Sequence, residues 1–96
     1  MPAAVPAWWV YIVRAANGSL YAGITTDRER RLAEHRSGRR GARFFRTSRA
    51  QRMVYSESFA DRSSASRREA AIKRLNRSAK LALIRAASGR RRSRHS

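Results

Sequence analysis

The chain has 96 residues and a formal net charge of +17 at pH 7, from 23 lysines and arginines against 6 aspartates and glutamates. This length fits one domain with a modest core, and 42% hydrophobic residues are too many for a wholly disordered chain. The absence of cysteine excludes disulfides, thiolate metal sites and cysteine nucleophiles, and two histidines are too few for a histidine-rich zinc site.

The positive charge is carried almost entirely by arginine, because Lys73 and Lys80 are the only lysines. A guanidinium pairs with two phosphate oxygens at once and stacks on bases, so the excess predicts a nucleic acid partner. An arginine-biased but merely solvated surface and an anionic membrane surface are the alternatives. A genomic bias toward arginine explains why arginine is used in place of lysine. It does not explain an excess of 17 positive charges, which repel one another in the folded state.

Neither a membrane span nor a secretory signal is predicted. No apolar run approaches the roughly 20 residues that a membrane span needs. Residues 1–13 are apolar but lack the basic leading segment and the small-residue cleavage site of a signal peptide. We therefore expect a cytoplasmic, nucleoid-associated protein without a membrane partner.

The N-terminal part of the chain predicts a β-hairpin. After a short arm over residues 1–6, the continuous aromatic and β-branched run 8–13 is typical of a strand that is covered on both faces. Asn17-Gly18 is a strong turn signal because both residues tolerate positive φ. Residues 20–24 then form the returning strand.

A polar helix follows the hairpin. Thr26, with a glutamate three residues later, resembles a capping box that begins a helix over residues 27–37. Leu32 is the only large apolar residue of this helix. Arg31 and His35 lie one turn apart and flank Leu32, so both are expected on the inward-facing side.

The C-terminal half predicts one strand and two helices. Residues 53–59 form the third strand, residues 63–76 a second helix, and a third, short helix begins at Ser78. The order β-β-α-β-α-α predicts a small α/β domain over residues 7–87, with a three-stranded, mostly antiparallel sheet flanked by helices. The basic residues 88–96 are predicted to be a disordered tail.

A basic loop over residues 38–51 is interleaved with aromatic residues and is the predicted path of a nucleic acid backbone. The expected nucleic-acid contacts are Arg39, Arg40, Arg43, Phe44, Arg46, Arg49 and Lys73.

Glu69 stands out among the six carboxylates because it falls on the apolar stripe of the second helix, between Ala65 and Ile72. A carboxylate on a buried face costs several kcal/mol unless it is paired or metal-bound. It could close a capping box with Ser66 in a helix that begins late, it could pair with a nearby arginine, or it could bind magnesium, which prefers oxygen ligands. Position alone leaves these alternatives open.

Five residues together match a family pattern that none of them indicates alone. The GIY-YIG nuclease family has a Gly-Ile-Tyr-like strand, a Tyr-Ile-Gly-like strand about ten residues on, a helix with arginine and often histidine, and a glutamate on a later helix. Over about residues 8–85 the chain resembles its small, stand-alone bacterial members. The matching residues, in order, are Tyr11, Tyr21, Arg31, His35 and Glu69.

The sequence departs from that pattern in both motifs. The first reads Trp9-Val10-Tyr11 and the second reads Tyr21-Ala22-Gly23. The replacements are residues that a strand accommodates, and both tyrosines remain, so we expect the family's fold.

The resemblance implies a metal-dependent phosphodiester hydrolysis. Glu69 would hold Mg²⁺ or Mn²⁺, Tyr11 would accept a proton from the attacking water with help from Tyr21 or His35, and Arg31 would neutralise the scissile phosphate. The basic surroundings would lower the pKa of a tyrosine and favour its phenolate.

The predicted function is therefore that of an endonuclease that cuts DNA rather than RNA. It would be directed by DNA structure rather than sequence, in DNA repair, as a monomer or weak dimer. The sequence leaves open whether the domain acts alone or a protein partner directs its cleavage. The first alternative is a nucleic-acid-binding module with the same fold and little or no catalysis. The second is a basic structural or ribosome-associated protein, which would explain the charge but not the ordered set of Tyr11, Tyr21, Arg31, His35 and Glu69.

Overall fold

The apolar strand β1 lies at the centre of the sheet. The computed structural model describes residues 7–37 and 48–93. β1 (Trp8–Ala15) pairs antiparallel with β2 (Leu20–Thr25) and with β3 (Ala50–Phe59), which gives the order β2-β1-β3. A continuous apolar run suits this place because both faces of β1 are covered. The predicted element order β-β-α-β-α-α and the antiparallel sheet are confirmed.

The Asn17-Gly18 turn joins β1 to β2 as predicted. Gly18 has φ +88°, a conformation that other residues rarely adopt. The Asn17 side-chain oxygen accepts a hydrogen bond from the backbone N–H of Ser19 at 3.0 Å. This local bond holds the turn while the two strands pair on either side of it.

Helix α1 (Arg28–Ser37) begins after Asp27, whose Oδ1 accepts from the backbone N–H of Arg30 at 3.0 Å. Asp27, rather than the predicted Thr26, is therefore the N-cap. The helix is fastened to β3 near both ends. Arg28 Nη1 donates to Ser56 Oγ at 2.8 Å, and Arg36 Nε donates to the carbonyl oxygen of Gln51 at 3.0 Å.

Helix α2 (Arg62–Arg74) is capped by Asp61, whose Oδ1 accepts from the backbone N–H of Ser64 at 2.7 Å. The helix therefore begins before Ser66, which excludes the capping box between Ser66 and Glu69.

Helix α3 (Arg77–Ser93) is longer than the short helix that the sequence predicts. Asn76 caps it, because its Oδ1 accepts from the backbone N–H of Ala79 at 2.9 Å. The prediction of a disordered tail from Ser88 is wrong for residues 88–93, which continue the helix. Arginine is a good helix former and no proline interrupts the segment, so the composition that indicated disorder also permits a helix. No described helix is long and apolar enough to cross a membrane.

The core consists of two apolar clusters on opposite faces of the sheet, as the alternation of side chains along β1 requires. Helices α2 and α3 cover the first cluster, and Leu32 of α1 packs against the second. The buried members of the first are Val10, Ile12, Ala22, Tyr55, Ala65 and Ile72. The buried members of the second are Tyr11, Val13, Ala15 and Ala50.

Candidate active site

Tyr11 and His35 form a buried hydrogen-bonded pair under α1. The Oη of Tyr11 lies 2.9 Å from Nε2 of His35, and each residue is 1% exposed. Tyr11 points from the central strand toward the face that α1 covers, and His35 is in the last turn of that helix. The fold therefore brings together two side chains that are 24 residues apart.

Gly23 leaves the space that the Tyr11 ring occupies. It is the register partner of Tyr11 in β2, and a Cβ there would lie 2.5 Å from Oη and 2.7 Å from Cζ of the tyrosine. Atoms do not approach this closely, so the ring can cross the edge strand only where that strand has no side chain. The glycine of the second motif is thus required by this contact and not by a positive φ.

Tyr21 completes a cluster of three rings. Its ring centroid lies 6.4 Å from that of Tyr11 and 5.3 Å from that of His35, the latter in an edge-on arrangement. Such arrangements are favourable for aromatic pairs. Tyr21 therefore helps to hold the Tyr11–His35 pair in place while remaining partly exposed itself.

Arg31 lies at the open side of this cluster. Its Nη1 donates to Oε1 of Glu34 at 3.0 Å, and its side chain is 27% exposed. A hydrogen bond between its guanidinium and Tyr11 acts to lower the pKa of the tyrosine. Arg31 thus contacts the buried pair and also reaches solvent, where a phosphate could meet it.

The pKa of Tyr11 moves in the direction opposite to the prediction. Burial raises it to about 12, and this desolvation outweighs the lowering by Arg31. Tyr11 is therefore a neutral phenol at pH 7. The expected phenolate was wrong because a count of basic residues does not include the cost of burying a charge.

His35 is neutral for a related reason. Burial, together with the charge of Arg31, lowers its pKa to about 4. A neutral imidazole carries one proton, so with that proton on Nδ1 its Nε2 accepts the O–H of Tyr11. The pair is arranged for a proton to pass from the phenol to the imidazole.

Glu69 lies on α2, near enough to Tyr11 for its charge to contribute to the pKa of the tyrosine. Its side chain is 22% exposed, although Ala65 and Ile72 of the same stripe are fully buried. Its charge is the smallest of the several causes that act on the pKa of Tyr11, and it acts in the raising direction. Its Oε2 lies 3.4 Å from Nζ of Lys73, so the ionic partner is a lysine and not an arginine, which was one of the alternatives that the sequence left open.

Glu69 fits a magnesium site in which substrate phosphates supply some of the ligands. Within residues 7–37 and 48–93, no group of three or more histidines, cysteines and acidic residues could hold a metal. Magnesium keeps several waters and is bound by one or two carboxylates plus substrate phosphates, so one accessible glutamate fits this ion.

The model of the GIY-YIG catalytic domain matches residues 7–82 of this chain. The chain belongs to the GIY-YIG nuclease family. It is 52% identical to the UPF0213 protein DP2720 of Desulfotalea psychrophila, over 84% of this chain and 74% of that protein. It is 40% identical to the UPF0213 protein YhbQ of Escherichia coli, over 85% of this chain and 81% of that protein.

Solved structures of GIY-YIG relatives have the same fold. The solution NMR structure of protein EF2693 from E. faecalis is 36% identical with a TM-score of 0.58, over 85% of this chain and 86% of that one. The NMR structure of the UPF0213 protein BH0048 from Bacillus halodurans is 36% identical with a TM-score of 0.54, over 83% and 84%.

The predicted nucleic-acid contacts of this GIY-YIG domain lie mostly outside the described residues. Arg49 is exposed just before β3, and Lys73 pairs with Glu69. The predicted contacts that fall outside the described residues are Arg39, Arg40, Arg43, Phe44 and Arg46.

Sequence reasoning missed Arg28 as a residue near the site. Its guanidinium lies 3.6 Å from the centre of the Trp9 ring, and it donates to Ser56, which opposes Tyr11 in β3. A signal was available, because Arg28 lies three residues before Arg31 and therefore near the same face of α1.

Proposed function

We propose that this protein is a divalent-metal-dependent endonuclease that hydrolyses DNA phosphodiester bonds. The observation that carries the proposal is the buried hydrogen bond between Tyr11 and His35, next to Arg31 and within reach of the charge of Glu69. These groups can remove a proton, neutralise a phosphate and bind a cation, which are the three requirements of phosphodiester hydrolysis.

Water activation uses the pair as a proton relay. Tyr11 cannot act efficiently as a preformed phenolate at pH 7. With a pKa of about 12, the phenolate is about 10⁵ times less populated than the phenol, which is a free-energy cost of about 7 kcal/mol. In the relay, Oη accepts the proton of the attacking water while its own proton passes to Nε2 of His35 over 2.9 Å. The phenol is regenerated and the imidazole carries the proton.

Substrate binding makes His35 a better acceptor. In the free protein the charge of Arg31 helps to lower the pKa of His35. A bound phosphate offsets that charge and adds its own, so both effects raise the pKa of the imidazole. The relay is therefore favoured when the scissile phosphate is in place.

Arg31 serves as the phosphate contact. Its partly exposed guanidinium already bridges Tyr11 and Glu34, so it is held in position before substrate arrives. Charge on the phosphate oxygens redistributes during hydrolysis, and a fixed guanidinium stabilises it without first having to reorganise.

Glu69 would hold the divalent cation, Mg²⁺ or Mn²⁺. The ion, when bound, supplies Lewis-acid polarisation of the phosphate and stabilises charge on the leaving oxygen. Lys73 offsets the charge of Glu69 in the free protein, and its side chain is 54% exposed, so it can move toward a phosphate.

Structure rather than base sequence would direct the cleavage. Contacts from arginine to phosphate fix the position of DNA but carry no sequence information, and the chain has no cysteine for a base-reading zinc finger. We further propose a cytoplasmic, nucleoid-associated DNA-repair role as a monomer or weak dimer, with a protein partner that directs cleavage.

Cleavage of a set of labelled DNAs tests the proposal. Single-stranded, duplex, flap and four-way-junction DNAs are incubated with Mg²⁺, Mn²⁺ or EDTA and with wild type or Glu69→Gln, and binding is measured in EDTA. We expect metal-dependent cutting that Glu69→Gln abolishes while it leaves binding nearly intact. Glu29→Gln, which changes an exposed glutamate of α1, is the matched control and should cut normally.

One observation favours a second candidate, a binding module with the same fold. The raised pKa of Tyr11 is what a purely structural tyrosine would show. Tight binding without cutting in any metal would select that module.

A further inference from the structure

A groove with a volume of about 440 Å³ lies between the sheet and α3. Its apolar lining includes one leucine of β2, a leucine and an isoleucine of α3, and a methionine and a valine of β3, and three arginines line it as well. The apolar residues of β2 and α3 and the three arginines are Leu20, Leu81, Ile84, Arg14, Arg52 and Arg77.

The groove lies on the face of the sheet opposite Tyr11 and His35, whereas α2, which carries Glu69, covers the same face as α3. Side chains alternate along β1, so Arg14 shares the face of Ile12, and Tyr11 and Val13 lie on the other face. Ile84 of α3 packs against the cluster that contains Ile12, which places α3 on that same face. No residue proposed for catalysis lines the groove.

The positive charge of the groove is not balanced by an acidic side chain among the described residues. Arg14 and Arg52 are register partners in neighbouring strands, and like charges in this arrangement destabilise a sheet. No acidic side chain lines the groove, and the ion pairs between described residues do not include its arginines. An anion is therefore the ligand that would stabilise this arrangement.

Arg77 extends the positive surface toward the hairpin turn. Its Nη1 donates to the carbonyl oxygen of Gly18 at 2.8 Å, which leaves further N–H donors of the guanidinium for a ligand. It also lines a smaller adjoining pocket together with Lys80. Two basic pockets thus adjoin at Arg77, as the spaced phosphates of a chain would require.

We propose that this groove binds an unpaired DNA strand, the single-stranded arm of a branched substrate. The arginines meet its phosphates, and the apolar part accepts the face of a base. A base within a duplex presents only its edges in the grooves, so the apolar part favours a strand that is not paired. The inference rests on the proposed nuclease function and names the class of its substrate.

The positions of Arg31 and of the groove arginines on opposite sides of the sheet support this substrate. A straight duplex that contacts Arg31 on one face of the sheet does not reach Arg14 and Arg52 on the other. A flap or fork offers a duplex for the first face and a flexible strand for the second. Simultaneous contact would therefore select branched DNA without any reading of sequence.

The test compares Arg14→Gln/Arg52→Gln with Arg67→Gln/Arg85→Gln, a control that removes two exposed arginines which do not line the groove. Arg77 is left unchanged because it also holds the turn. Binding to a labelled flap, to a single strand and to a blunt duplex is measured in EDTA across a range of salt. Thermal melting checks the fold, and loss of the like-charge pair should not lower the melting temperature.

For Arg14→Gln/Arg52→Gln, we expect the salt dependence of binding to become weaker only with DNAs that have an unpaired strand. Two lost contacts to a single strand reduce the slope of log affinity against log salt by about 1.4, while the duplex slope stays as in the control. Between 50 and 200 mM salt this corresponds to about sevenfold less change in affinity. In wild type, the methyl resonances of Ile84 and Leu81 should shift on titration with a short oligothymidylate.

Three results would contradict the proposal that the groove binds an unpaired DNA strand. They are equal slope changes for flap and duplex, unshifted methyl resonances of Ile84 and Leu81, and AMP binding as tightly as the oligonucleotide, which would make the occupant a free nucleotide. Failure of the nuclease is separate, because binding is measured without metal. If the protein cuts no DNA but shows the predicted slopes, the groove proposal stands and the nuclease proposal fails. If it cuts DNA but does not show those slopes, the groove proposal fails and the nuclease proposal stands.

Discussion

Replacement of Gly23 by alanine tests whether a steric contact controls the position of Tyr11, the tyrosine of the proposed relay. The new Cβ would lie 2.5 Å from Oη and 2.7 Å from Cζ of Tyr11, whereas a relaxed contact is about 3.5 Å or more. The Tyr11 hydroxyl must therefore move by about 1 Å. It is held only 2.9 Å from His35, so this movement breaks or bends the hydrogen bond of the relay.

The expected losses are about 1–3 kcal/mol of stability and about 10²-fold in cleavage rate. The first value is the usual cost of inserting a methyl group into a packed interior. The second is the cost of displacing a reacting group by about 1 Å. Urea unfolding and single-turnover cleavage of the best DNA substrate measure the two losses.

A double-mutant cycle isolates the contact. Tyr11→Leu removes Oη, Cζ and Cε2, the three atoms closest to the new Cβ. In that background Gly23→Ala should be neutral or stabilise the protein by about 0.4–1 kcal/mol, because alanine restricts the unfolded chain. The coupling free energy between the two positions should therefore be about 2 kcal/mol.

Gly18→Ala is the matched control for this cycle. Its cost comes from the left-handed backbone, φ +88°, and its Cβ would meet only Arg77 at an ordinary 3.5 Å. It should destabilise wild type and Tyr11→Leu equally, by about 1 kcal/mol. If Gly23→Ala also costs the same in both backgrounds, the steric account of the glycine is refuted.

Two further predictions concern the relay. Tyr11→Phe should lower cleavage by about 10²-fold or more and leave DNA binding in EDTA unchanged, so an unchanged rate would remove Tyr11 from the mechanism. The pKa of His35 is about 4 when folded and about 6.5 when unfolded, so the unfolded state binds more protons between these values. Urea midpoints should therefore show stability that is complete above pH 6.5 and falls by about 3 kcal/mol toward pH 4, a dependence that His35→Gln should lack.

The fold was predictable where local signals agreed. The apolar run of β1, the Asn17-Gly18 turn and the polar helix after it each predict one element, and their order leaves few ways to arrange three strands. The placement of Arg31 and His35 also followed from the sequence, because residues four apart lie on the same face of a helix.

Features that depend on tertiary contacts were not predictable. The pKa of Tyr11 was expected to fall, but burial between β1 and α1 raises it. The stacking of Arg28 on Trp9 joins two elements whose approach the sequence does not show. The basic segment after Ser88 was expected to be disordered from its composition, although arginine permits the helix that residues 88–93 form.

In the proposed mechanism, the substrate completes the catalytic centre. The free protein offers a protonated tyrosine, a neutral histidine of low pKa and a single carboxylate beside a lysine. A phosphate supplies the oxygen ligands that one glutamate lacks, and its charge raises the pKa of His35 by offsetting Arg31. Both effects act only when DNA lies in the site. If the proposed mechanism holds, DNA that contacts only the groove beside α3 would therefore bind without being cut, and selection of the substrate and activation of water would depend on the same event.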